Sequence, residues 1–279
     1  MPMIGANIRG ELLPSEAAVK AHLIRAECFS FFLDKFPSDP IFSETMARLG
    51  YDSGRVVVPH STYRINTASP DNRVRSSSMH QLARAVKYCE QLGIRMLNFH
   101  PGSSKGAIDT RTALLNVADS INFVHRKTSS TTTLIEIMPG AGNEVCGEFG
   151  HLATIIDSVE DKRRVGVCLD TCHMHVSGYD IVNDLSGVLS EFESVVGKRY
   201  LKALHLNDSV HEAGSRRDTH APIGSGKLGL QFFRDLLNHP LVGGLPCILE
   251  TPPVNHAKEI TFLKGIVQQS IYSKRATVY

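Results

Sequence analysis

VGVCLD, residues 165–170, is a short apolar, β-branched run that ends on a carboxylate, Asp170, and it gives the key to the chain. Working outward, the same kind of run recurs at MIGANI (3–8), CFSFFL (28–33), RVVVPH (55–60), MLNFH (96–100), TLIEI (133–137), ALHLN (203–207) and PCILET (246–251). Between and after these runs, apolar residues fall three and four apart, the spacing of one helix face. Leu82, Ala85, Cys89 and Leu92 stand before Gly93, and Val188, Phe192 and Val195 before Gly197, where a glycine ends a helix well. Leu114, Val117, Ile121 and Val124 keep the same spacing, as do Ile260, Leu263 and Val267. Weaker helical patterns lie near 15–25, 40–50, 150–158 and 229–237. Parallel strands need helical crossovers, so eight strand–helix units in 279 residues predict an α/β protein, a (β/α)8 TIM barrel in one domain spanning 1–279. An open doubly wound sheet would carry a glycine-rich phosphate loop after its first strand, and GANIRG (5–10) has the wrong spacing for one.

Composition narrows the function. With 42% hydrophobic and 21% charged residues, the chain is neither disordered nor fibrous. No apolar run approaches the ~18 residues of a membrane span, and Met1-Pro-Met-Ile-Gly lacks a signal-peptide layout, so no membrane partner is expected. Lys and Arg total 30 against 28 Asp and Glu, a net charge of +2 that does not announce nucleic-acid binding. A polyanion would have to be attracted by something else, and bound metal ions could do it. The six cysteines do not suggest a disulfide framework. Cys89, Cys168 and Cys247 sit in apolar settings and are expected to be buried; Cys172, between Asp170 and His173, receives no role. Cytoplasm is the expected compartment, or nucleus in a eukaryote.

The strand ends carry the chemistry. His60, His100, Glu136, Asp170, His205 and Glu250 lie at or near the ends of six successive strands, with gaps of 40, 36, 34, 35 and 45 residues. In a barrel they converge at the C-terminal mouth, where such enzymes work. A single histidine ending a strand is ordinary; six imidazoles and carboxylates in phase are not. Three more candidates stand in loops: His173 in DTCH (170–173), and Asp218 and His220 in the polar stretch GSRRDTHAPIGSG (214–226). The other histidines lack this phasing and are expected to do ordinary structural work. Five His with two Asp and two Glu suit Zn2+ or Mn2+ better than Ca2+ or an iron–sulfur cluster. Nine ligands are too many for one ion and fit three if a carboxylate bridges. Three divalent ions against four carboxylates leave about two positive charges focused in the cleft, which suits a phosphate.

These positions coincide with longer motifs: CEQLGIRMLNFHPGS (89–103), VEDKRRVGVCLDTCH (159–173), SGYD (177–180), KRYLKALHLNDS (198–209), GSRRDTHAPIGSGKLG (214–229) and GLPCILETP (244–252). Through them the chain resembles the endonuclease IV family of zinc-dependent apurinic/apyrimidinic (AP) endonucleases, from about residue 3 to 268. The resemblance implies a DNA-repair hydrolase on a (β/α)8 barrel with three Zn2+, Mn2+ being an alternative at one or more positions. By position it implies one ion on His60, His100 and Glu136, a second on Glu136, Asp170, His205 and Glu250, and a third on His173, Asp218 and His220. The family cuts duplex DNA 5′ to an abasic site, leaving a 3′-hydroxyl and a 5′-deoxyribose phosphate, and is monomeric by habit. Glu136 is expected to have a second, catalytic job in orienting the attacking hydroxide. Tyr63, in HSTY (60–63), matches a family position that contacts DNA.

Three stretches depart from the family pattern. IMPGAG (137–142) replaces N-T-A-G-x-G, and Asn7 stands where G-A-H would place a histidine. DKFPSDP (34–40) lacks the arginine that enters the DNA stack at the lesion. Arg73, Arg75, Arg216 and Arg217 are therefore the expected phosphate contacts, and Tyr63 with Phe36 the expected wedge. Two rivals stand against the nuclease. One is a xylose-isomerase-like sugar isomerase or epimerase, which would use Glu136, Asp170, His205 and Glu250 but not the other five positions. The other is a non-catalytic DNA- or metal-binding relative, motivated by the altered loops.

Overall fold

A computed structural model of the protein describes residues 1–10 and 13–276. The barrel strands are β1 (Met3–Asn7), β2 (Phe29–Ser30), β3 (Phe32–Leu33), β4 (His60–Ser61), β5 (Met96–Phe99), β6 (Thr132–Glu136), β7 (Val165–Asp170) and β8 (Leu201–Leu206). After the short β9 (Asp208–Ser209) and β10 (His220–Ala221), β11 (Pro246–Leu249) completes the barrel. The order β2-β1-β11-β8-β7-β6-β5-β4-β3 is parallel throughout. β2 and β3 are one chain segment broken at Phe31, so the ring closes there and eight strand positions result. β9 and β10 form a separate antiparallel pair.

Helices fill the crossovers: α1 (Pro14–Leu23), α2 (Phe42–Leu49), α3 (Ser53–Val56), α4 (Asn72–Gln91), α5 (Thr110–Lys127), α6 (Phe149–Ser158), α7 (Thr171–Ser177), α8 (Leu185–Val195), α9 (Gly229–Asn238) and α10 (His256–Ala276). Aspartate side chains accept first-turn N–H groups and so fix where helices begin: Asp71 for α4, Asp109 for α5, Asp170 for α7 and Asp184 for α8. Leu82, Val86, Val117, Ile121, Leu152 and Ile155 bury the inner faces of α4, α5 and α6 in one core with Leu97, Leu134 and Val167 of the strands. Truncating one such residue, Leu134→Ala for example, costs about 2–5 kcal/mol. Gly5 permits β1 to pack closely on the residue leading into β2, since a Cβ there would lie 1.6 Å from the Cys28 carbonyl oxygen.

The expected barrel is present; some boundaries are not. RVVVPH is a strand only at its end: Asp52 caps α3 through Gly54 N–H, Val57 bridges to Phe29, and regular pairing begins at His60. α4 starts ten residues before Leu82, at its Asp71 cap, and the short α7 has no counterpart among the expected helices. Its N-cap is Asp170 itself, so the strand end and the helix start share a residue. Cys89, Cys168 and Cys247 are buried, as expected, and so are Cys28, Cys146 and Cys172; all six are free thiols. Among the described residues no helix is long and apolar enough to cross a membrane.

Candidate metal centre

Barrel geometry places the functional side chains. Glu136 and Asp170 are the last residues of β6 and β7; His100 and Glu250 follow β5 and β11 directly; His60 opens β4; His205 is next to last in β8. The remaining three leave the barrel: His173 sits on the first turn of α7, His220 in β10, and Asp218 in the loop before it.

The nine side chains form one continuous cluster centred on Glu136, which is fully buried, with Asp218 and His220 joined to it through His173 and Asp170. Its Oε2 lies 3.1 Å from His60 Nε2 and 3.2 Å from His100 Nε2, and its Oε1 lies 3.2 Å from His205 Nδ1 and 3.3 Å from His173 Nδ1. His205 Nδ1 is also 3.2 Å from Glu250 Oε2 and 3.8 Å from Asp170 Oδ2. At the rim, Asp218 joins His173 Nε2 at 3.2 Å through Oδ2 and His220 Nε2 at 3.1 Å through Oδ1. Among the described residues, donor atoms mutually within 4.8 Å form four groups: His60, His100 and Glu136; Glu136, Asp170, His205 and Glu250; Asp170, His173 and His220; and Cys172, Asp218 and His220. The first two coincide with the expected sets and share Glu136. The expected third set, His173, Asp218 and His220, is divided between the last two, with Asp170 and Cys172 drawn in.

The donors fit divalent cations on physical grounds. His60 Nδ1 lies 2.7 Å from the Ser61 carbonyl oxygen, which can only accept, so Nδ1 carries the proton and the neutral ring turns an Nε2 lone pair toward the Glu136 carboxylate. A lone pair facing a carboxylate at 3.1 Å is repulsive unless the ring takes a second proton or a cation lies between. His173 repeats the device, with Nδ1 2.8 Å from the Ile137 carbonyl oxygen. Carbonyls behind the rings are what orient metal-binding histidines. Three buried carboxylates, Glu136, Asp170 and Glu250, grouped on the single imidazole of His205 carry more negative charge than one proton balances.

Ionisation follows this crowding. Burial alone would raise the pKa of Glu136, but the His205 and His100 imidazoles hold it well below the ordinary range. Burial likewise opposes ionisation of Glu250 and Asp218, yet His205 keeps the first low, and His173 with His220 the second. Burial disfavours charged His173, and Asp170, Asp218 and Glu136 together raise its pKa well above the usual value. His220 rises against burial through Asp218 and Asp170.

A layer of amides supports the carboxylates. Asn98 Nδ2 donates to Glu136 Oε2, Asn207 Nδ2 to Asp170 Oδ2 at 2.6 Å, and Asn7 Nδ2 to Glu250 Oε1 at 3.0 Å. Asn207 Oδ1 also accepts the Glu250 N–H at 3.1 Å. Sequence reasoning gave these asparagines no role. Period two held the clue, because Asn98 and His100, like His205 and Asn207, are two apart and face the same side of the backbone.

The expected DNA contacts divide. Tyr63 is 64% exposed at the mouth, its ring 4.9 Å from Phe32, 5.5 Å from His60 and 5.2 Å from His100. Phe36 is not a free wedge: its ring packs edge-on against Tyr88 at 5.5 Å with the Arg84 guanidinium 5.0 Å over it. Arg73, Arg216 and Arg217 are exposed, whereas Arg75 donates to the Ser69 carbonyl at 2.9 Å. Arg216 holds a left-handed φ of 55° and is pinned by its N–H to the Val176 carbonyl at 2.8 Å.

Residues 25–266 match the family described as the xylose isomerase-like TIM barrel. Probable endonuclease 4 of Phocaeicola vulgatus is 42% identical over 262 residues, covering 90% of this chain and 94% of its own length. Apurinic-apyrimidinic endonuclease 1 of Plasmodium berghei is 35% identical over 92% of this chain, which spans 53% of that longer protein. The crystal structure of endonuclease IV from Thermus thermophilus superimposes with a TM-score of 0.83 at 27% identity, covering 96% of this chain and all of the other. The matched residues 25–266 span every strand end that contributes to the buried cluster. The chain belongs to the endonuclease IV family of AP endonucleases.

Proposed function

We propose that this protein is a DNA-repair AP endonuclease that hydrolyses the phosphodiester 5′ to an abasic site in duplex DNA, using three divalent ions, zinc foremost. The observation that carries the reading is Glu136, a single buried carboxylate shared between two donor groups and touching four imidazoles. One ion would rest on His60, His100 and Glu136, and a second on Glu136, Asp170, His205 and Glu250. The third would rest on His173, Asp218 and His220, with manganese an alternative at one or more positions. Such ions lower the pKa of water toward neutrality and offset charge on a leaving oxygen. Glu136 would serve both strand-borne ions and is placed to orient the attacking water. Asn98, Asn207 and Asn7 keep the carboxylates from turning away. Tyr63, standing over His60 and His100, presents an aromatic face to the opened duplex, and Arg73 and Arg216 meet backbone phosphates.

The isomerase reading needs only Glu136, Asp170, His205 and Glu250 and leaves His60, His100, His173, Asp218 and His220 without work. An idle binding relative would have no use for so costly a cluster of buried charge. We take the chain, 1–279, to act as one domain and as a monomer in the cytoplasm, or in the nucleus of a eukaryote. The test is a duplex with one tetrahydrofuran abasic analogue, incubated with protein before and after chelation. Cleavage to a 3′-hydroxyl, lost on chelation and restored by zinc, is the expected result. Cutting of natural abasic sites alone, through a trappable Schiff base, would overturn the hydrolytic reading.

A further inference from the structure

Segment 208–228 leaves β8, swings out as a polar loop and returns, carrying Asp218 and His220 to the centre. At its root Asp208 is fully buried, and among the described residues its carboxylate has no side-chain hydrogen-bond donor. Four main-chain N–H groups do instead. Oδ1 accepts from Ser209 at 2.8 Å and Leu228 at 2.9 Å, and Oδ2 accepts from Gly224 at 2.9 Å and Gly226 at 3.0 Å. That fills the acceptor capacity of a carboxylate. The approach needs glycine at 226, where a Cβ would fall 2.5 Å from Asp208 Oδ1 and 2.4 Å from the Ser209 carbonyl oxygen. Glu259, on the first turn of α10, adds a second tether by accepting the Ile223 N–H at 2.8 Å and the Thr251 hydroxyl. The β9–β10 ladder then sets His220 opposite Ser209 and Ala221 opposite Asp208. None of these bonds runs through a metal-donor side chain, so the loop is held in its working shape by the protein alone.

We propose that Asp208 is a positioning residue: by lashing 224–228 to the end of β8 it fixes His220 and Asp218, and so sets the affinity of the loop-borne ion without touching the two strand-borne ones. The proposal rests on the three-ion reading given above. Asp208→Asn keeps the size but turns an amide N–H2 toward main-chain N–H donors, so it breaks the tether with little change in volume. Gly226→Ala attacks the same junction from the other side.

The experiment titrates chelator-treated protein with zinc against a competing chelator and counts bound ions by native mass spectrometry. Hydrogen exchange at residues 222–228 is followed in parallel without metal. In either variant the weakest-held ion should dissociate about 10–100-fold more readily, the range seen when groups behind metal ligands are removed. The other two affinities should hold within about twofold, and exchange at 224, 226 and 228 should quicken. Equal weakening of all three ions, or three unchanged affinities in both variants, would overturn the proposal. A wild-type protein that never binds a third ion would remove the three-ion reading itself, and this inference with it.

Discussion

Glu136 and Asp218 are both carboxylates wedged between imidazoles, yet the side chain of one is 1% exposed and that of the other 40%. Glu136 ends a strand whose neighbours on both sides are paired in register, so its position is as fixed as the barrel. Asp218 stands in a loop outside the strand ladder, bound to α7 through His173 and through the Arg216 N–H on the Val176 carbonyl, and tethered at its root by Asp208. The contrast divides the centre into a rigid, dry half on strand ends and a wetter half that other residues have to hold in place. Hydrolysis needs both: fixed charge where the bond breaks, and an open side where a phosphate enters.

The sharpest way to break this division is at the shared carboxylate. Glu136→Gln keeps the shape but removes the charge on which two donor groups depend. A loss of at least about a hundredfold in single-turnover rate is expected, on the order of 3 kcal/mol in the barrier, with DNA binding largely kept. Near-normal turnover in a fully metallated variant would remove Glu136 from the bridging position. His220→Ala attacks the other half. About one ion per chain should be lost by elemental analysis while two remain, and loss of all three would show that the halves are not separable.

Protons test the same division more gently. The depressed carboxylates Glu136, Glu250 and Asp218 stabilise the metal-free fold above their ordinary pKa near ~4.3, and that contribution is lost as pH falls through their folded values. The raised imidazoles of His173 and His220 stabilise it fully below ~6.5, and that contribution is lost as pH rises through their folded values. Metal-free protein should therefore be most stable between about pH 4.5 and 6.5. Ion binding needs neutral imidazoles, so it should release protons near pH 6.5 and push the optimum upward. Calorimetry in two buffers of different ionisation enthalpy measures the release, and its absence would contradict the charge arrangement. The smallest effect is expected at the rim. Tyr63→Ala should cost roughly 1–2 kcal/mol, the worth of one aromatic platform under a base, and dim 2-aminopurine fluorescence opposite the lesion with metal content unchanged. If Arg73 or Arg216 variants abolish opening while Tyr63→Ala does not, the wedge lies in another loop.

The rigid half was the more legible from sequence, and for a physical reason. Strand ends in a parallel barrel recur at the length of one strand–helix unit, so His60, His100, Glu136, Asp170, His205 and Glu250 announce themselves by phase. The amides of Asn7, Asn98 and Asn207 lie on the same strands but carry no charge to mark them. The loop half has no period: contacts of Asp208 with residues 16 to 20 positions on follow from a folded path that local propensity does not encode. The β-branched run at 56–58 misled in the other direction, because the turn capped by Asp52 takes Arg55 and Val56 out of the strand that the run favours. Phe36 looked available in the chain and is committed to Tyr88 and Arg84 in the fold.

The seam between β1 and β11 has a consequence for how the protein comes into being. Met3 pairs with Pro246 and Ala6 with Leu249, and the Asn7 amide reaches Glu250 across 243 positions of sequence. During synthesis at roughly 5–20 residues per second, the first strand leaves the ribosome about 10–50 s before its partner exists. Until then β1 has an unpaired edge, which is a template for aggregation. Contacts this distant also slow folding once the chain is complete. The last seam to close is the one that seats Glu250, so ion-binding capacity in refolding or pulse-labelled protein should appear together with barrel closure rather than ahead of it. In this chain the candidate metal centre reports that folding is finished.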